Sequence, residues 1–279
     1  VQSDAHLFDI TGGLTKFERK KDRCSFDGNK FVDEIIDLQD GIMRFTGCDF
    51  LNNVGELEIV RADDSKLRFK DVLFKDNKTQ NNPGVADLLD FRTSKVDMKF
   101  VKFASNESDD EIITCAQTCT LDMFKVDFID NTADFVVDLF DDASVTMKRC
   151  KIEKNTVDRE ILFVNDNSSA ELQQVDFIEN DANDMVDLEE STLVATDVKF
   201  VDNTCDAETL DVRDASTATL NNVLFDDNAA DVDMLVEGDA TVTCDLETVF
   251  CDGAANEIDA QAGAVVNGCD ISDDARCKA

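Results

Sequence analysis

Apolar residues return along this chain at intervals, in short alternating stretches and never in long blocks. The six residues at 126–131, VDFIDN, alternate apolar and polar around Phe128 and end on Asn131. Related stretches occur at 24–29 (CSFDGN), 48–53 (CDFLNN), 72–77 (VLFKDN), 101–106 (VKFASN) and 150–155 (CKIEKN). They continue at 175–180 (VDFIEN), 198–203 (VKFVDN), 223–228 (VLFDDN) and 248–253 (TVFCDG). The central residues are Phe26, Phe50, Phe74, Phe103, Phe128, Ile152, Phe177, Phe200, Phe225 and Phe250. Their spacings are 24, 24, 29, 25, 24, 25, 23, 25 and 25. A fixed period of this length is the mark of a stacked solenoid, and it excludes a disordered acidic tract.

Two solenoids fit such a period. A leucine-rich repeat would place its consensus on Met123, Val126, Phe128 and Asn131, and again on Leu172, Val175, Phe177 and Asn180. It would then need Leu two residues after the Asn and a segment with helical spacing. Here that residue is small or polar (Gly55, Thr79, Ser108, Ala133, Ala182, Cys205, Ala230). The remainder of each unit alternates with period two, as in VDL at 137–139, VTM at 145–147 and LDV at 210–212. Period two means strand. The pattern therefore predicts an all-β chain of about ten coils, three short strands each, forming a parallel β-helix. The leucine-rich horseshoe is the alternative.

The F-x-x-N signature with a small residue two places later resembles the repeats of polymorphic outer-membrane adhesins. More broadly it resembles the right-handed parallel β-helices of the pectin-lyase-like superfamily, over roughly residues 24–270. The resemblance implies right-handed coiling, and a class that includes lyases, hydrolases, adhesins and surface scaffolds. Three segments follow: an N-terminal cap at 1–23, repeats at 24–253, and a last coil with a disulfide-tied cap at 254–279.

Stacking places equivalent residues of successive coils about 4.8 Å apart. The central Phe residues should then form an inward stack. The Asn residues should sit at a corner, in left-handed backbone, bonding to the next coil. The residue before each central position faces outward and reads Lys102, Asp127, Lys151, Asp176, Lys199, so opposite charges alternate along the rod.

Charge changes the functional picture. With 62 acidic and 27 basic residues the net charge is −35, which repels nucleic acid and anionic membranes and attracts cations or basic partners. No apolar run approaches the about 18 residues of a membrane helix, so no membrane insertion is expected. The chain has one His (His6), one Pro, no Trp and no Tyr, so the residues that usually serve catalysis and sugar stacking are scarce. It begins at Val1, which suggests a processed start.

Ten cysteines permit a fully paired, secreted or cell-surface protein. Cys24 with Cys48, and Cys244 with Cys269, lie one coil apart. Cys115 and Cys119 could bridge a corner, and Cys251 and Cys277 could tie down the tail. Cys150 and Cys205 read as inward thiols. Of three sequons, at Asn77, Asn106 and Asn167, the last is the better glycan acceptor because it lies outside the repeat corner.

One outward column carries the candidate chemistry: Asp37, Glu58, Asp90, Thr114, Asp138, Phe163, Asp187, Asp211, Leu235 and Asp259. Asp187 and Asp211 should be neighbours on adjacent coils, with Arg213 on the same face. Like charges this close recruit a cation or raise a pKa, so Asp187 and Asp211 are the candidate metal ligands and Ca²⁺ the candidate ion. No cofactor is required. The resemblance adds an alternative, a calcium-dependent polysaccharide lyase-like enzyme using Asp187, Asp211 and Arg213. A solvated acidic face is the plainest reading. The faces read as charged, so flat ranks of Thr are not expected.

The leading expectation is a non-enzymatic secreted or cell-surface structural module. Its partners would be protein subunits or a surface polysaccharide. The basic run Lys16, Arg19, Lys20, Lys21 and Arg23 against an acidic body suggests head-to-tail self-assembly.

Overall fold

In the computed structural model, which describes residues 2–3, 7–18, 23–80, 86–251 and 258–269, every coil visits three parallel sheets in turn. One coil shows the plan: Thr132–Ala133 joins a short sheet, Phe135–Phe140 a middle sheet, and Ser144–Lys148 with Lys151–Glu153 a long sheet. The short sheet has nine strands and the middle sheet eleven. No helix occurs among the described residues, so the parallel β-helix stands and the horseshoe does not. Strands Phe8–Thr11 and Leu14–Glu18 already pair in parallel with the next coil. At the other end Ile258–Ala260 and Val265–Asn267 continue the stack.

The inward positions explain the period. Phe26–Phe50, Phe50–Phe74, Phe74–Phe103 and Phe103–Phe128 stack with ring centroids 4.5, 4.7, 4.9 and 4.8 Å apart. Ile152 interrupts the stack, which resumes with Phe177, Phe200, Phe225 and Phe250. The spacing of neighbouring strands, about 4.8 Å, suits offset aromatic stacking, so equivalent Phe residues pack ring on ring from coil to coil.

Beside the rings runs a ladder of buried amides. Asn131 Nδ2 donates to Asn155 Oδ1 at 2.9 Å, and the same bond links each Asn from Asn29 to Asn228 to the next at 2.8–3.0 Å. Each Asn backbone N–H donates to the same oxygen, as Asn131 does at 3.0 Å. The left-handed backbone expected of these Asn residues falls one position earlier, on Asn52, Asp76, Ser105, Asp130, Lys154, Glu179, Asp202 and Asp227. There the side chain is free to face solvent, while the Asn itself turns inward.

Cys24–Cys48, Cys115–Cys119 and Cys244–Cys269 are disulfides, with Cα separations of 4.5, 5.5 and 4.8 Å. Cys251 is disulfide-bonded, whereas Cys277 lies outside the described residues. Cys150 and Cys205 are buried free thiols.

The outward charge column is in register as expected: Lys102 lies beside Asp127, then Lys151, Asp176 and Lys199. The absence of Thr ranks is corrected. Ser144, Ser169, Thr192, Thr217 and Thr241 form one rank on the long sheet, because its C-terminal half carries little charge. Within the basic run, Arg23 is engaged inside its own chain by Asp49 at 2.7 Å and Asp71 at 3.1 Å. Arg19, Lys20 and Lys21 lie outside the described residues.

Candidate functional site

The middle sheet carries two acidic columns. One runs Asp37, Arg61, Asp90, Thr114, Asp138, Phe163, Asp187, Asp211, Leu235, Asp259, neighbour to neighbour. Arg61 occupies the place expected for Glu58. Glu58 belongs to the second column, three residues earlier in each coil, with Glu34, Asp87, Glu111, Glu160, Asp184 and Glu208.

Both columns point the same way because each coil carries two consecutive inward residues between them. In DMVD at 184–187, Met185 and Val186 are both fully buried. Ile161 and Leu162 do the same in EILF at 160–163, and Leu88 and Leu89 in DLLD at 87–90. Pairing steps over the first of each apolar pair, going from Glu160↔Asp184 directly to Leu162↔Val186. This bulge-like step turns an i, i+3 pair of acids, which a regular strand would place on opposite faces, onto one face.

Apart from the exposed Asp259 and the half-buried Glu208, the carboxylates of these columns are buried and do not form a solvated face. Asp187 is 1% exposed, and Glu58 and Glu160 are each 6% exposed. Long side chains and neighbouring coils cover them.

Two groups occupy the same positions of the repeat: Glu58, Asp87 and Asp90, and Glu160, Asp184 and Asp187. In each, one oxygen per residue lies within 4.8 Å of the others. A third group, Asp87, Asp110 and Glu111, shares Asp87 with the first. Arg213 Nη2 is 2.6 Å from Asp187 Oδ2, and its Nη1 is 3.7 Å from Asp211 Oδ2. Arg92 Nε is 3.1 Å from Asp90 Oδ2. Asp184 accepts from Asn183 Nδ2 and from the Glu208 backbone N–H, both at 2.7 Å.

Several buried oxygens have no hydrogen-bond partner: Glu58 Oε2, Glu160 Oε2, Asp187 Oδ1, Asp138 Oδ1 and Asp211 Oδ1. Burial is the leading cause of raised carboxyl pKa values here. It lifts Glu58 to about 8, with the charges of Asp87, Asp90 and Glu34 adding to the rise. It lifts Asp187 to about 8 against the opposing pull of Arg213, and Glu160 to about 7. Asp211 rises to about 6, and Asp184 is raised as well. At neutral pH such groups either hold protons or share a cation.

The sequence-predicted pair Asp187 and Asp211 is adjacent in the sheet, with Arg213 beside both. Glu160 and Asp184 were missed as companions of Asp187. The signal that finds them is the recurring acid–apolar–apolar–acid tetrad.

No family model matches this chain, and no curated protein does. Among solved structures it is similar to the gp42 tailspike of Acinetobacter phage vb_AbaP_AS12, at 10% identity and a TM-score of 0.39, covering 93% of this chain and 56% of that one. It is similar to tailspike protein 3 of bacteriophage CBA120, at 9% identity and a TM-score of 0.31, covering 93% and 52%. It is also similar to a mannuronic acid specific polysaccharide family 6 lyase from human gut microbiota, at 8% identity and a TM-score of 0.30, covering 92% and 87%. The chain thus spans about half the length of the two tailspikes.

Proposed function

We propose that this chain is a non-enzymatic, extracellular or surface-exposed β-helical rod that binds divalent cations in its carboxylate groove. The observation that carries this reading is the group Glu160, Asp184 and Asp187. Its ligand oxygens lie within 4.8 Å of one another, and Asp187 Oδ1 and Glu160 Oε2 are buried without a hydrogen-bond partner, the latter with only Arg159 Nε at 3.9 Å. An all-oxygen, carboxylate-rich donor set suits a hard cation, Ca²⁺ above all. The ion would offset two of the three carboxylate charges, which come from two coils, and clamp those coils together. Glu58, Asp87 and Asp90 would hold a second ion in the same way. The disulfides are consistent with an oxidising location, and Asn167, exposed beside Asp166, is the expected glycan acceptor.

Burial counts against the lyase-like alternative. A general base must be reached by its substrate, and Asp187 is 1% exposed with Arg213 already bonded to it. The test is calorimetric titration of Ca²⁺ into wild type and into a Glu160→Gln/Asp187→Asn variant. Saturable binding that the variant lacks supports the reading; equal binding by both removes the groove from consideration.

A further inference from the structure

Asp87 stands where two sets of acids meet. One set is the groove triad Glu58, Asp87 and Asp90. The other is Asp87, Asp110 and Glu111, and the two have only Asp87 in common. Glu58, Asp87 and Glu111 are successive rungs of one column, tied by backbone bonds from Ile59 N–H to the Leu88 carbonyl and from Leu88 N–H to the Glu111 carbonyl. Asp110 is half-buried and the other four acids are buried.

The far end of the groove repeats the first set but not the second. Glu160, Asp184 and Asp187 match Glu58, Asp87 and Asp90. Backbone bonds carry the column of Asp110 through Asp134, Arg159 and Asn183 to Ala207, so the counterpart of the second set is Asp184, Ala207 and Glu208. Alanine offers no ligand atom. Asp184 is also engaged on both oxygens, by the Glu208 backbone N–H and by Asn183 Nδ2, each at 2.7 Å. At Asp87 the residue in the place of Asn183 is Ala86, which has no amide to give, and the Glu111 N–H lies 3.4 Å from Oδ1. Both oxygens of Asp87 therefore keep bonding capacity.

Buried atoms without hydrogen-bond partners flank Asp87 on either side. Glu58 Oε2 lies toward one end of the rod, and Thr114 Oγ1 and Asp138 Oδ1 lie toward the other. These residues are 6%, 4% and 9% exposed. Burial, with the charges of Asp87 and Asp110 adding, lifts Asp138 to about 7. Burial first, and then the Asp87 carboxylate beside it, push the Glu111 pKa up as well. Of the five acids in the two sets, Arg92 offsets one through its 3.1 Å contact with Asp90. A single divalent ion would leave two of the remaining four charges uncompensated. A pair would leave none.

We propose that this end of the groove holds two divalent cations bridged by the Asp87 carboxylate, one ion toward Glu58 and Asp90 and the other toward Asp110 and Glu111, while the Glu160 end holds one. The proposal rests on the cation-binding reading of the groove and adds a bridged pair to it. A shared carboxylate sets two ions about 4 Å apart, and all-oxygen donors select hard ions. Asp87 belongs to the longest unit of the repeat, the 29 residues from Phe74 to Phe103. The pair would clamp that irregular coil to both of its neighbours.

Mn²⁺ is the probe, because two bridged Mn²⁺ ions couple their spins and an isolated one does not. Equilibrium dialysis and electron paramagnetic resonance of the full chain, at salt high enough to screen exposed carboxylates, read number and coupling together. Wild type should bind three Mn²⁺ saturably and show a coupled pair beside an isolated ion. Asp110→Ala should lose one ion and the coupled signal. It should still fold, as circular dichroism would report, because Ala207 fills the same position in a coil that stacks normally. Glu160→Gln/Asp187→Asn should lose the isolated ion and keep the coupled pair. Two uncoupled ions in wild type, or a coupled signal that survives Asp110→Ala, overturns the pair and leaves the single-ion groove standing. An absence of saturable binding in wild type overturns both.

Discussion

Arg213 reaches across one coil boundary to Asp187, placing Nη2 2.6 Å from Oδ2, while the other oxygen of the same carboxylate, Oδ1, is buried without a partner. A single guanidinium therefore serves half of a buried carboxylate, and Asp187 still rises to about 8. The groove is under-compensated by its own side chains.

Removing that guanidinium exposes the imbalance. Arg213→Gln should destabilise the rod by about 3 kcal/mol at pH 8, the cost typical of stranding a buried charge. At pH 5 the loss should be smaller, because Asp187 is then protonated. Urea melts at the two pH values measure the difference.

The pH dependence of the wild type has a definite sign. Glu58, Asp187 and Glu160 have folded-state pKa values raised to about 8, 8 and 7. Between their unfolded values and these, the folded chain binds more protons than the unfolded one, so stability falls as pH rises. Without divalent ions the melting temperature should be higher at pH 5 than at pH 8. Calcium at millimolar concentration should flatten the profile, because it replaces the lost protons. A metal-free melting temperature that climbs from pH 5 to pH 8 would contradict the groove's electrostatics.

The amide ladder should be stiffest in the middle. Asn131→Ala leaves the Asn106 amide and backbone N–H without their shared acceptor. It should cost about 2–4 kcal/mol by the penalty for stranded buried donors. Asn29→Ala, at the first rung and 9% exposed, should cost less. Chemical denaturation of both variants gives the comparison.

Phe100 and Phe128, on adjacent coils, should behave oppositely. Phe128→Ala opens a cavity in the stack and should cost about 4 kcal/mol. Phe100 is 49% exposed at φ 57°, so Phe100→Gly removes an exposed ring from left-handed backbone and should stabilise the rod by up to about 1 kcal/mol. Thermal melts of both variants give the comparison.

Much of the fold is legible in the residues themselves. The recurring Phe and Asn positions mark coil length, and the disulfide partners fall one coil apart or across a corner. The groove is less legible. Counting 24 residues from Asp37 reaches Arg61, and the 29-residue unit carries that column on to Asp90. Choosing Glu58 by its charge breaks that count and hides the second column. Strict alternation also assigns Asp184 and Asp187 to opposite faces. The paired inward residues Met185 and Val186 reverse that assignment, and their effect depends on a bulge that only three-dimensional stacking imposes. Burial of the acids is likewise a property of neighbouring coils, not of any one segment.

The most direct test of the cation groove is diffraction from crystals equilibrated with Mn²⁺, recorded where that ion scatters anomalously. The account predicts difference peaks within Glu160, Asp184 and Asp187 and within Glu58, Asp87 and Asp90, in direct contact with carboxylate oxygens. Peaks confined to the exposed acidic edges, with both groups empty, would contradict it.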